Sequence, residues 1–157
     1  METNNPLDLI ITRRIKAPRQ RVWTAWSNPE HLKHWWCPRP WTTEVKAFDL
    51  RPGGAFHTFM SGPEGGTSDN PGCFLEVVPA QKLVMTSALV ADYRPAENPW
   101  LSITSIVTFE DVEDDTLYTA RVLHASEASA KQHLDMGFHE GWGIMLAQLE
   151  AYAQELA

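Results

Sequence analysis

Cysteine is scarce in this chain: Cys37 and Cys73 are the only two in 157 residues. Two thiols cannot make a disulfide framework, and they lack metal-ligand spacing, so they read as free thiols. Positive charge is also in deficit, with 13 Lys and Arg against 20 Asp and Glu, a net charge of -7. That excludes the basic surface needed to displace counterions from nucleic acid. No apolar run approaches the ~20 residues that span a bilayer. Residues 1–8 are polar and lack a charged-then-apolar signal pattern. A cytoplasmic protein without membrane or nucleic-acid partners is expected. Catalytic signatures are missing too: there is no Gly-x-Ser-x-Gly elbow and no HExxH. The Gly-rich turn at 62–66 lacks the Lys-Ser/Thr of a P-loop and reads as a hairpin tip. Neither a cofactor nor a metal is expected.

Large apolar side chains are plentiful. Apolar residues make up 43% of the chain and charged residues 21%, ordinary for one globular domain spanning 1–157. A domain of this size buries roughly 70% of its unfolded surface. Three of the seven tryptophans, Trp35, Trp36 and Trp41, crowd a short stretch pinned by Pro38 and Pro40. Tryptophan carries a large ring and an N–H that wants a partner, and proline stiffens the chain that holds it. Trp35 and Trp36 stand about 100° apart on a helix. One ring is therefore expected in the core or pocket wall and the other at the rim.

Leu9, Ile11 and Ile15 alternate with polar residues, predicting a strand that Ala17-Pro18 ends. Pro18 opens a helix through Ser27, and Asn28-Pro29 reads as an N-cap and first position of a second, carrying Leu32, Trp35 and Trp36. Six strands follow, over 42–50, 55–61, 72–78, 83–90, 101–110 and 116–124, split by Gly, Pro and acidic turns. Their short spacings favour antiparallel pairing. From Glu127 the chain is helical, and Phe138, Trp142, Met145, Leu149, Tyr152 and Leu156 form one apolar stripe. That stripe and one sheet face need each other as cover. Residues 92–100 read as an irregular loop.

This order resembles the helix-grip fold, an α+β architecture of the START-like (SRPBCC) superfamily, and within it the Hsp90-ATPase-activator-homologue-like group. The likeness rests on Arg13 with Ala17-Pro18, Val22-Trp23 with Ala25, Trp35-Trp36 with Pro38, and Leu50-Arg51-Pro52-Gly53-Gly54. It continues through Gly72 with Glu76-Val77 and Pro79, Leu83-Val84 with Thr86, and Gly141-Trp142 with Leu149. Pro40-Trp41, Arg94-Pro95 and the run from Met136 to Trp142 are similar to a branch of small single-domain bacterial members. The resemblance implies a curved antiparallel sheet gripping the long terminal helix, with a cavity between them.

Trp26, Trp35, Phe56, Met60, Phe74, Met85, Trp100, Phe138, Trp142 and Met145 are the candidate cavity lining; the alternative is that they fill a solid core. Arg13 shares the parity of Leu9, Ile11 and Ile15, which aims it at the apolar layer. A buried guanidinium costs several kcal/mol unless paired. Glu76, between Phe74 and Val78, is the expected partner, and a structural pair is favoured over a ligand anchor. His57 with Glu76 would make an acid/base pair in the cavity; the alternative is an ordinary strand histidine. His133 and His139, six apart on one helix, face different directions, and His133 with Glu140 reads as a surface pair. With His57 and His124 on separate strands, no metal site follows. Arg13, Arg14, Lys16, Arg19 and Arg21 read as a solvated strand edge and helix start. The acidic residues Glu110, Asp111, Glu113, Asp114 and Asp115 read as a solvated turn.

The favoured function is binding of a small apolar or amphipathic molecule between sheet and helix. An enzyme of cyclase or hydrolase type, using Arg13, His57 or Glu76 in the same cavity, is the alternative, although no catalytic motif supports it. A chaperone-associated role, which the group's name would imply, is weakened by the lack of room for a second domain. Homodimerisation enters only as the general tendency of small domains toward twofold association.

Overall fold

Alternating side chains carry the first strand, β1 (Asp8–Ile15), until Pro18, whose missing N–H and fixed φ suit a helix entry. Helix α1 (Arg19–Ser27) turns Val22, Trp23, Ala25 and Trp26 inward. Asn28 accepts from the Glu30 N–H at 2.9 Å and caps the single-turn α2 (Pro29–Leu32). The computed structural model describes residues 5–99 and 101–156. Trp35 and Trp36 follow α2 in turns rather than within it.

The next elements are β2 (Thr42–Phe48), β3 (Phe56–Ser61), β4 (Thr67–Asn70), β5 (Cys73–Val78) and β6 (Lys82–Thr86). Two short strands, β7 (Leu89–Val90) and β8 (Arg94–Pro95), flank a turn. The long hairpin β9 (Ile103–Val112) and β10 (Asp115–His124) then leads to α3 (Glu127–Asp135) and α4 (Phe138–Glu155). The expected six-strand run is therefore present with two additions, β4 and β8, and with the 83–90 segment divided. The terminal helix is also divided. Gly137, at φ 93°, turns the chain between α3 and α4, a conformation that glycine adopts without strain.

All pairings are antiparallel, in the order β1-β10-β9-β6-β5 for one sheet and β2-β3-β4 for another. An Ala55–Cys73 bridge links the start of β3 to the edge strand β5, with Phe56 N–H donating to Gly72 O at 3.0 Å and Phe74 N–H to Gly54 O at 2.9 Å. Gly54 is required here, because a Cβ would lie 1.9 Å from the Asp49 carbonyl oxygen. Bulges at Val45/Ala47 and Phe74/Glu76 help bend the surface. The resulting α+β helix-grip architecture places α4 against the concave side.

The core lies between α1, α4 and this curved layer. Ile15, Trp26, Trp35, Phe74, Tyr118 and Leu149 are fully buried in it. Trp26 donates its indole N–H to the Tyr118 hydroxyl at 3.1 Å, and Trp35 donates to Ala25 O at 3.0 Å. The indole donors are thus satisfied inside the apolar layer. Among the described residues no helix is long and apolar enough to cross a membrane.

The basic cluster and the acidic turn meet each other. Arg14 pairs with Glu113 at 3.1 Å and Asp115 at 2.9 Å, and Arg19 pairs with Asp111 at 2.9 Å. Reading each as merely solvated missed that β1 and α1 lie beside the β9–β10 turn.

Candidate functional site

Strand alternation sends Phe56, Thr58 and Met60 of β3 to one face, and His57 and Phe59 to the other. From the opposite side α4 brings Phe138, Trp142 and Met145, spaced to share one helix face. Between these sets lies a crevice in two compartments that share Trp36, Met60 and Trp142. The first, about 160 Å³, is walled by Phe56, Thr58, Met85, Leu101, Ile103 and Ser105, among others. The second, about 240 Å³, opens toward the α3–α4 turn and adds Cys37, Pro38, His133, Phe138 and Met145. A cavity near 150 Å³ can accept a benzene ring, so these spaces are of ligand scale.

Polar groups are few on these walls. Thr58 is 2% exposed and Ser105 4%, and among the described residues neither side-chain hydroxyl has a hydrogen-bond partner. Thr86 and Ser87 are occupied: the Thr86 hydroxyl donates to Ile103 O at 3.0 Å, and that of Ser87 to Leu101 O at 2.8 Å. Cys37 accepts from the Thr43 hydroxyl at 2.9 Å, and burial pushes its thiol up in pKa, leaving a poor nucleophile at neutral pH. His133 reaches back from α3 to His124, whose Nε2 lies 2.9 Å from His133 Nδ1. Burial, then the nearby His124, lowers the His133 pKa to about 4.

Of the sequence candidates, Phe56, Met60, Met85, Phe138, Trp142 and Met145 line the crevice. Trp26, Trp35 and Phe74 are packed solid behind it, edge-to-face, tilted or, for Phe74 on Phe56, stacked against their aromatic neighbours. Trp100 lies outside the described residues. The adjacent tryptophans divide as expected, with Trp35 in the core and half-buried Trp36 on the wall of both compartments.

The polar expectations need correction. Arg13 pairs with Glu150 of α4 at 2.9 Å, not with Glu76. The bulge between Phe74 and Glu76 shifts strand parity, so Glu76 opposes Val84 rather than sharing the inward face of Phe74, and it binds Lys82 at 3.3 Å. His57 faces outward and meets Asp69 at 2.6 Å, not Glu76. Arg13, His57 and Glu76 thus line neither compartment. His133 and Glu140 lie on different helices, and His133 pairs with His124 instead. Among the described residues no group of three or more His, Cys, Asp or Glu side chains could hold a metal ion.

Sequence reasoning missed Thr58, Ser105 and His133 as wall residues. The alternation of Phe56, Thr58 and Met60 was the available signal for Thr58; nothing local signalled Ser105.

Residues 16–154 match the family model described as activator of Hsp90 ATPase homolog 1-like protein. No curated relative matches the chain. A crystal structure of a protein from Nitrosomonas europaea is 41% identical, covering 98% of this chain and 97% of that one, with a TM-score of 0.92. One from Mycobacterium smegmatis is 28% identical over 97% and 93% of the two chains, with a TM-score of 0.81. An NMR structure from Aeromonas hydrophila, at 21% identity over 94% and 92%, shares the fold with a TM-score of 0.69.

Proposed function

The chain belongs to the activator of Hsp90 ATPase homolog 1-like family, and from that premise we propose that, as one domain, it binds a small apolar or amphipathic molecule between its sheet and α4. The observation that carries this reading is the pairing of apolar walls with two wall residues, Thr58 and Ser105, whose hydroxyls have no protein partner among the described residues. A hydroxyl left unpaired on a cavity wall is free to bond a ligand or water. Apolar walls with a few polar groups are the composition of small-molecule sites. The net charge of -7 favours such a partner over nucleic acid. The two buried free thiols fit a reducing compartment such as the cytoplasm.

Native mass spectrometry of freshly purified protein, followed by a thermal-shift screen of apolar metabolites, tests the reading. A retained small-molecule mass, or a rise in Tm that saturates with ligand, is expected. Met60→Trp, which fills the junction of the two compartments, should abolish it. Absence of both a retained mass and any shift in the unaltered protein would sink the proposal.

A further inference from the structure

At the end of β10, His124 is 6% exposed and sits between two partners. Its Nδ1 lies 2.8 Å from the Leu7 carbonyl oxygen, and its Nε2 lies 2.9 Å from His133 Nδ1. A carbonyl oxygen can only accept, so His124 Nδ1 carries a proton. Neutral His124 is then an acceptor at Nε2, and His133 Nδ1 must donate to it. This leaves His133 Nε2, which in a neutral ring bears a lone pair and no proton. Among the described residues it has no partner.

That nitrogen belongs to a wall residue. His133 lines the larger compartment together with Phe138, Trp142 and Met145, and its ring stands edge-to-face on Phe138 at 5.1 Å. A further proton could enter the pair only at His133 Nε2, because the other three nitrogens are engaged. Burial, then the nearby His124, disfavours a charge on the His133 ring itself and lowers its pKa to about 4. With both rings neutral, the compartment therefore presents an acceptor.

We infer that the Leu7–His124–His133 chain fixes His133 Nε2 as a hydrogen-bond acceptor for a neutral hydroxyl, alcoholic or phenolic, on an otherwise apolar ligand. A carboxylate has no proton to donate at neutral pH and would oppose the lone pair. An ammonium would lose its hydration against Trp36, Phe138 and Trp142 without a counter-charge. A hydroxyl satisfies the nitrogen at little desolvation cost. This inference rests on the proposed apolar binding in the same crevice and adds the chemical class of the occupant.

The probes are 1-naphthol and 1-methoxynaphthalene, which share a ring system but differ in the donor. Long-range ¹H–¹⁵N spectra of the free protein should show His124 and His133 both protonated at Nδ1, and 1-naphthol should shift the His133 Nε2 resonance. By titration calorimetry, 1-naphthol should bind about three- to tenfold more tightly than the ether, the range of one net hydrogen bond. His133→Phe should erase that preference while still binding both compounds. Equal affinities in the unaltered protein would overturn the hydroxyl inference and leave apolar binding standing. Failure of both probes to bind would overturn both readings. A His133 ring protonated at Nε2 in the free protein would overturn the inference whatever binds, with no variant needed.

Discussion

Gln148 of α4 accepts a hydrogen bond from the Arg39 backbone N–H at 3.0 Å, fastening the tryptophan-proline corner to the helix it faces. The same amide donates to Cys37 O at 2.8 Å and Trp35 O at 3.2 Å. One side chain thereby satisfies three main-chain groups of a connector that has no ladder of its own. Trp36, between those attachments, is held as a crevice wall.

Gln148→Ala should destabilise the protein by about 1–3 kcal/mol, since it leaves these partly buried groups without their partner. It should also make the corner tryptophans more accessible to acrylamide. Urea unfolding and fluorescence quenching measure the two effects. Unchanged quenching would show that the corner holds without the amide.

Arg13 and Glu150 tie β1 to α4, and Glu150 also accepts from the Lys16 backbone N–H at 2.7 Å. Burial alone raises the Glu150 pKa, but the bonds from Arg13 and Lys16 outweigh it and hold the carboxyl below its usual range. A carboxylate depressed on folding stabilises above its unfolded pKa, and the contribution fades as pH falls through the folded value. Arg13→Met should cost about 1–2 kcal/mol at pH 7, between exposed and buried pairs. Its deficit against the unaltered protein should shrink toward pH 3. Binding in the crevice should persist in the folded variant, because Arg13 lines neither compartment. Denaturation series at several pH values, with ligand binding at pH 7, provide the check.

His133 gives a pH dependence in the same direction from the opposite charge type. The unfolded imidazole protonates near pH 6.5, whereas the folded one resists until about pH 4. Between those values the unfolded state binds more protons, so stability falls as pH falls, by at most about 1.4 kcal/mol per pH unit. His133→Phe should lose this component, giving a shallower decline between pH 6.5 and 4. Parallel slopes for variant and parent would contradict it.

Thr58→Val replaces an unpartnered hydroxyl on the crevice wall with a methyl of similar shape. In the empty protein the exchange should raise stability by up to about 1 kcal/mol, because no protein hydrogen bond is lost. A loss of stability would mean that the hydroxyl already has a bonding partner, such as trapped water. Equilibrium unfolding of the ligand-stripped protein distinguishes the outcomes.

The elements were legible wherever chemistry is local. Asn28-Pro29 marked a helix start, Arg51-Pro52-Gly53-Gly54 marked a turn, and the stripe from Phe138 to Leu156 marked the covering face of α4. Legibility ended where position depends on a distant strand. Thr67–Asn70 has no apolar alternation and becomes β4 by pairing with β3 across the Gly62–Gly66 turn. Glu76 was misplaced because one bulged residue reverses strand parity, and Arg13 found Glu150, 137 positions away. The aromatic half of the crevice was readable from residue type. Its polar half was not, since a strand threonine or serine looks the same facing water or facing a cavity.

The aromatic corner has an optical consequence. The indoles of Trp26, Trp35 and Trp36 lie 5.4 to 6.2 Å apart at steep mutual angles. Chromophores that close and that oblique share their excitations, splitting an absorption band into components of opposite circular dichroism. The sign and size of that couplet depend on ring orientation, and Trp36 is the member of the trio that also borders the crevice. An arriving guest that tilts Trp36 would alter the couplet, and circular dichroism would then report occupancy of the crevice without a label.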